Sequence, residues 1–75
     1  MPVVPLLRPR EVVRGFACFG WQVVRQPGSH MVMTKPGAVA ILSIPEHSLV
    51  ARGTLRALIG RAGLTIEEFL VAVGL

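Results

Sequence analysis

Apolar positions along the chain follow two different periods, and the switches between them outline the fold. Val12, Phe16 and Phe19 recur at i, i+4 and i+7, the spacing of one helical face. Arg10 and Arg14 fall four apart on the opposite side, where exposure is expected. Arg8-Pro9 suits a helix start, because proline's missing N–H costs nothing at the first helical position. Gly15 weakens this helix by up to about 1 kcal/mol relative to alanine, and Gly20 is its expected stop. Residues 1–7 contain two prolines and read as an extended arm.

A strand pattern follows. Residues 21–26 hold the β-formers Trp21, Val23 and Val24 with no breaker among them. Pro27-Gly28 is a turn pair, in which proline presets φ and glycine allows a positive one. Residues 30–34 form a second strand, Pro36-Gly37 a second turn, and residues 38–44 a third strand ended by Pro45. Three short strands joined by tight turns predict an antiparallel meander.

Helical spacing then returns. After a loop over 45–53, Thr54 is the expected N-cap of a helix whose Leu55, Leu58, Ile59 and Ala62 form one apolar stripe. Gly63 supplies its C-terminal stop. Thr65 and Glu68 have the spacing of a capping box, opening a last short helix through Phe69 and Leu70 towards Val73. The two final helices superficially suggest a DNA-reading helix-turn-helix. A recognition helix reads bases from its N-terminal residues, and here those include Glu67 and Glu68, which repel DNA. The expected architecture is therefore α+β: a three-stranded antiparallel sheet with helices packed on one face and the other face open.

Length and composition narrow the setting. Seventy-five residues make one domain, 1–75, with a thin stability margin. Cys18 is the only cysteine, so no disulfide is expected, and a lone thiol suits a reducing cytoplasm. One cysteine and two histidines at unrelated spacings assemble no zinc site. Hydrophobic residues make up 52% of the chain, yet no apolar run approaches the ~18 residues a membrane span needs. No basic residue precedes an apolar run at the start, so no secretory leader is expected. The excess apolar surface suits a protein partner instead. The net charge is +4, and seven of the eight basic residues are arginines. That balance suits either a polyanion such as nucleic acid or a plain solvated basic surface, and charge alone does not decide between them.

The chemistry available is that of histidine. His30 follows the Gln26-Pro27-Gly28-Ser29 turn and opens the second strand. An imidazole exchanges a proton near neutral pH, and RNA needs little more to be cut. A base takes the proton of a ribose 2′-hydroxyl, the oxygen attacks the adjacent phosphorus, and an acid protonates the leaving oxygen. Cationic side chains stabilise the charge that builds on phosphate, and the N–H groups around Gly28 and Ser29 can cradle an anion. On these grounds His30 is either a catalytic centre or a structural histidine that pins the turn by hydrogen bonds. Arg25 and Lys35 are either phosphate contacts or plain surface charge. Ser29 either bonds phosphate or its own backbone. His47, in the loop Pro45-Glu46-His47-Ser48, is either a second acid or phosphate contact or a solvated residue. Trp21, Met31 and Met33 are expected to pack in the core, and Cys18 to be a small buried residue.

One resemblance bears on these alternatives. The run from Gly20 through Arg25-Gln26-Pro27-Gly28-Ser29-His30, then Pro45-Glu46-His47, Gly53-Thr54-Leu55-Arg56 and Ala62-Gly63-Leu64-Thr65-Ile66-Glu67-Glu68-Phe69-Leu70, is similar to the HicA family of toxins. It covers the chain from about Arg8 to Leu70, with the Gly-Ser-His, Pro-x-His and Gly-Thr-Leu elements in the family's order and spacing. The resemblance implies a double-stranded-RNA-binding-domain-like α-β-β-β-α fold. It also implies an mRNA interferase of a type II toxin–antitoxin system, acting without metal or other cofactor. The family's catalytic histidine maps onto His30, and a HicB-like antitoxin is the implied protein partner. Arg25, Gly28, Ser29, Lys35 and His47 are then the expected RNA contacts. Two other functions share the pattern: a non-catalytic RNA-binding module of the same fold, and a partner-docking protein with a structural His30.

Overall fold

The computed structural model describes residues 3–46 and 48–74. Its elements run α1 (Pro9–Ala17), β1 (Gln22–Arg25), β2 (His30–Thr34), β3 (Leu42–Pro45), α2 (Arg52–Arg61) and α3 (Ile66–Ala72). The three strands form one antiparallel sheet in the order β1-β2-β3. This is the expected α+β layout, double-stranded-RNA-binding-domain-like with a third helix at its C-terminal end.

Alternation along the strands sorts the two faces. Met33, Leu42 and Ile44 are fully buried and Met31 packs against them, so this face meets the helices. Val12 and Phe16 of α1, Leu55, Leu58 and Ile59 of α2, and Phe69 of α3 complete the core, joined by Trp21 and Val50. Val32, Thr34 and Ser43 alternate onto the other face, which no helix covers among the described residues.

Helix ends follow the sequence where glycine or a cap decides them. Trp21 N–H donates to the Phe16 carbonyl and Gly20 N–H to that of Ala17, a Schellman motif with Gly20 at its left-handed position. Leu64, Gly63, Ile59 and Gly60 repeat the pattern at the end of α2. At α3 the Thr65 hydroxyl accepts from Glu68 N–H at 3.1 Å, while the Glu68 carboxylate accepts from Thr65 N–H at 2.8 Å. Pro9 is the first helical residue of α1, and the Glu11 carboxylate accepts from Arg8 N–H at 3.0 Å. Arg10 and Arg14 are exposed.

Elements decided by long-range contacts depart from the sequence expectation. The second long helix begins at Arg52, with Ala51 rather than Thr54 as N-cap and no side-chain cap bond. Tertiary ties replace the cap: Val50 N–H donates to the Leu7 carbonyl at 2.7 Å, and Arg52 Nε to that of Val4 at 3.0 Å. The same ties fasten the arm, whose Val4 and Leu7 are buried in the core. The third strand covers Leu42–Pro45 instead of 38–44, because Arg61 Nε takes the Ile41 carbonyl at 3.0 Å and turns that segment towards α2. The first strand starts at Gln22, since the Trp21 N–H is already spent at the end of α1. Phe19 is half-buried at the core's rim. Cys18 is exposed rather than buried, with Sγ 3.9 Å from the Ala72 carbonyl oxygen. It lies in the turn that follows α1, on the side that faces the end of α3 rather than the sheet.

Gly15 has a packing role that its low helix propensity conceals. A Cβ at this position would stand 2.5 Å from Val73 Cγ1 and 2.8 Å from Phe69 Cε1. The α1–α3 crossing is therefore close because residue 15 has no side chain. On an exposed helix face Gly→Ala gains up to about 1 kcal/mol. Here Gly15→Ala is expected to destabilise by about 1–3 kcal/mol, the usual cost of overpacking. Urea unfolding followed by circular dichroism gives the sign, and a stabilised variant would contradict the packing role.

Candidate functional site

The site is built on the turn between β1 and β2. His30 N–H donates to the Pro27 carbonyl at 3.2 Å, which closes a four-residue turn around Gly28 and Ser29. Gly28 has φ +59°, and no residue other than glycine has a positive φ among the described residues. Glycine first and a negative φ second is the type II′ arrangement, whose twist matches that of the strands it joins.

Two further bonds fasten this turn to the end of β3. Ser29's carbonyl accepts from Glu46 N–H at 2.6 Å, continuing the ladder one step past the His30–Pro45 pair. The Gln26 side-chain amide donates to the Glu46 carboxylate. The backbone that carries His30 is thus held from both neighbouring strands. Sequence reasoning left Gln26 and Glu46 without a role. They lie twenty residues apart, and only the pairing of β2 with β3 brings them together.

His30 is exposed and alternates with Met31 and Met33, so it belongs to the open face. Its backbone N–H holds the turn. Among the described residues its imidazole makes no hydrogen bond, and both ring nitrogens are free to meet a ligand.

Arg25 reaches the same face through an irregularity. Simple alternation from Gln22, which pairs with Thr34, would put Val23 and Arg25 together on the core side. The register shifts between Val23 and Arg25, so Arg25 pairs with Val32. Val32 is an open-face residue, and His30 lies two positions before it. Arg25 and His30 are therefore diagonal neighbours, at about 7–8 Å in a regular sheet. Bulges commonly re-aim a side chain beside a site in this way.

The remaining expected residues divide. Gly28 and Ser29 are exposed in the turn next to His30. Lys35 follows the far end of β2, about 17 Å along the strand at ~3.3 Å per residue. It is half-buried there, its stem lying over Gly20. His47 lies outside the described residues. Among those described, no three His, Cys, Asp or Glu side chains gather as a metal site, and no helix is long and apolar enough to cross a membrane.

The family model described as HicA toxin of bacterial toxin-antitoxin matches residues 9–64, from the start of α1 to just beyond α2. No curated protein matches the chain.

Proposed function

The chain belongs to the HicA toxin family, the toxins of bacterial toxin–antitoxin pairs, and from that premise we propose that it is an endoribonuclease acting on mRNA with His30 as its catalytic group. The observation that carries this reading is the exposed His30 on the open sheet face, its backbone fixed and its imidazole unengaged among the described residues. In the proposed reaction His30 accepts the proton of a ribose 2′-hydroxyl. The 2′ oxygen attacks the adjacent phosphorus, and the bond from phosphorus to the 5′ oxygen breaks. The protonated imidazole then returns a proton to that leaving oxygen, so one histidine serves as base and acid in turn. The products are a 2′,3′-cyclic phosphate and a free 5′-hydroxyl. Arg25, as the diagonal neighbour of His30, offsets charge on the non-bridging oxygens, and the turn amides at Gly28 and Ser29 assist. Lys35 contacts the strand farther along, and His47, next to Glu46, contacts phosphate. No step needs a metal.

The natural setting in this reading is the cytoplasm, where mRNA is found. The inhibitory partner is a HicB-like antitoxin that covers the site. Val23 and Val24 of β1, and Ile41 before β3, are exposed apolar residues and offer such a partner area to bury.

Incubation of the protein with single-stranded RNA in EDTA tests the reaction. The expected result is cleavage to fragments with 2′,3′-cyclic phosphate ends, and none where the cut position is 2′-deoxy. Binding without cleavage would leave a non-catalytic RNA-binding module, and cleavage of the 2′-deoxy substrate would rule out the proposed chemistry.

A further inference from the structure

A second basic feature adjoins the His30 turn. A cleft of about 590 Å³ lies between the start of α1 and the segment that follows β3, lined by Arg8, Arg10, Glu11, Arg14, Glu46 and Ser48. Glu46 is shared. It forms one wall of the cleft, and its backbone and carboxylate bind Ser29 and Gln26 of the turn. The cleft therefore begins one residue beyond Pro45, the strand partner of His30.

Its charges are unevenly engaged. Both carboxylates have partners: Glu11 accepts from Arg8 N–H, and Glu46 from the Gln26 amide. Among the described residues, the guanidinium groups of Arg8, Arg10 and Arg14 make no hydrogen bond. The first turn of α1 adds to them, because the Arg10 backbone N–H has no partner within the helix and the helix dipole is positive at this end. Three forked donors around an open cleft match the oxygens of a phosphate group better than they match any neutral ligand.

We propose that this cleft holds a non-scissile backbone phosphate of the RNA strand whose cleaved bond lies at His30, with Arg10 and Arg14 as its principal contacts. The inference rests on the reading of the chain as RNA-cleaving and adds the path of the strand: across the open face at His30, past Glu46 and onto α1. Arg10 and Arg14 are positioning residues here. They hold the strand in register and take no part in proton transfer.

The test measures binding of a single-stranded RNA oligonucleotide across a series of salt concentrations, with His30→Ala as the uncut background. Adding Arg10→Gln and Arg14→Gln is expected to weaken binding. It also flattens the plot of log affinity against log salt by about 0.7 for each phosphate that is no longer neutralised. Arg10→Lys with Arg14→Lys keeps most of that slope. Arg56→Gln, on exposed α2 surface outside the cleft, leaves it unchanged. Both α1 arginines are exposed, so the melting temperature is expected to stay near that of the background. An unchanged affinity and slope in the double variant would overturn the cleft. A cleft-dependent slope together with no RNA cleavage by the protein that retains His30 would overturn the nuclease reading alone, and cleavage by that protein with a cleft-independent slope would overturn the cleft alone. No RNA binding by any variant would overturn both.

Discussion

Replacing His30 with alanine is expected to lower RNA cleavage by about 10²–10⁴-fold, the usual contribution of a placed acid–base group, while leaving the protein folded. The second half of that statement follows from the site's construction. The turn is held by the His30 backbone N–H, by the Ser29 carbonyl and by the Gln26–Glu46 pair, and none of these uses the imidazole. Exposed substitutions away from caps and cores are usually mild, so the stability change is expected within about 1 kcal/mol. RNA affinity is expected to change little, because the cationic side chains remain. Single-turnover cleavage, thermal melting and RNA binding on the same preparation separate the possible roles. A melting temperature that falls with activity would make His30 a structural residue that pins the turn.

The second large effect concerns the fold. Phe69→Ala is expected to leave most of the chain unfolded at 25 °C. Phe69 is fully buried, and its ring lies 4.7 Å from that of Phe16, centroid to centroid, tilted by 49°. It also closes over Gly15. Truncating a buried phenylalanine typically costs about 3–5 kcal/mol. A single core of this size rarely supplies more than about 3–5 kcal/mol in all. The loss is thus comparable to the whole stability. Phe69 lies beyond residue 64, where the family match ends, so the matched segment depends on a helix outside it to complete its core. Circular dichroism at 25 °C checks the expectation. A cooperative native-like melt with a stability loss below about 1 kcal/mol would show α3 to be peripheral.

The elements most legible in the sequence were those fixed by local chemistry. Gly20 and Gly63 ended their helices, Thr65 and Glu68 closed a capping box, and β2 covers His30–Thr34 as its β-formers and flanking turns required. Thr54 was a reasonable cap by residue type, but the helix starts earlier because Leu7 and Val4 hold Val50 and Arg52 from more than forty residues away. The shortened β3 has the same kind of cause, a side chain twenty residues on that claims the Ile41 carbonyl. Gly15 showed only its low helix propensity, because its neighbours Phe69 and Val73 meet it through tertiary packing.

The site was legible to the same degree and for the same reason. The Gly28-Ser29-His30 turn follows from residue type and order. Arg25 was named for its charge, but strict alternation would have turned it towards the core, and a register shift that no residue type announces brings it beside His30. Gln26 and Glu46 carried no signal, since their value lies in meeting each other. The arginines of α1 stood out only as an exposed stripe. Their significance comes from the cleft they form with the segment after β3.

The role proposed for the imidazole of residue 30 is to move the proton in RNA cleavage, and rescue by free imidazole tests it most directly. His30→Ala protein is mixed with single-stranded RNA in EDTA, and cleavage is followed as imidazole is added. The expected result is a slow reaction without imidazole and a rate that rises in proportion to its concentration, at the bond the wild type cuts. A His30→Ala protein that cuts RNA as fast as the wild type with no imidazole present would contradict the account.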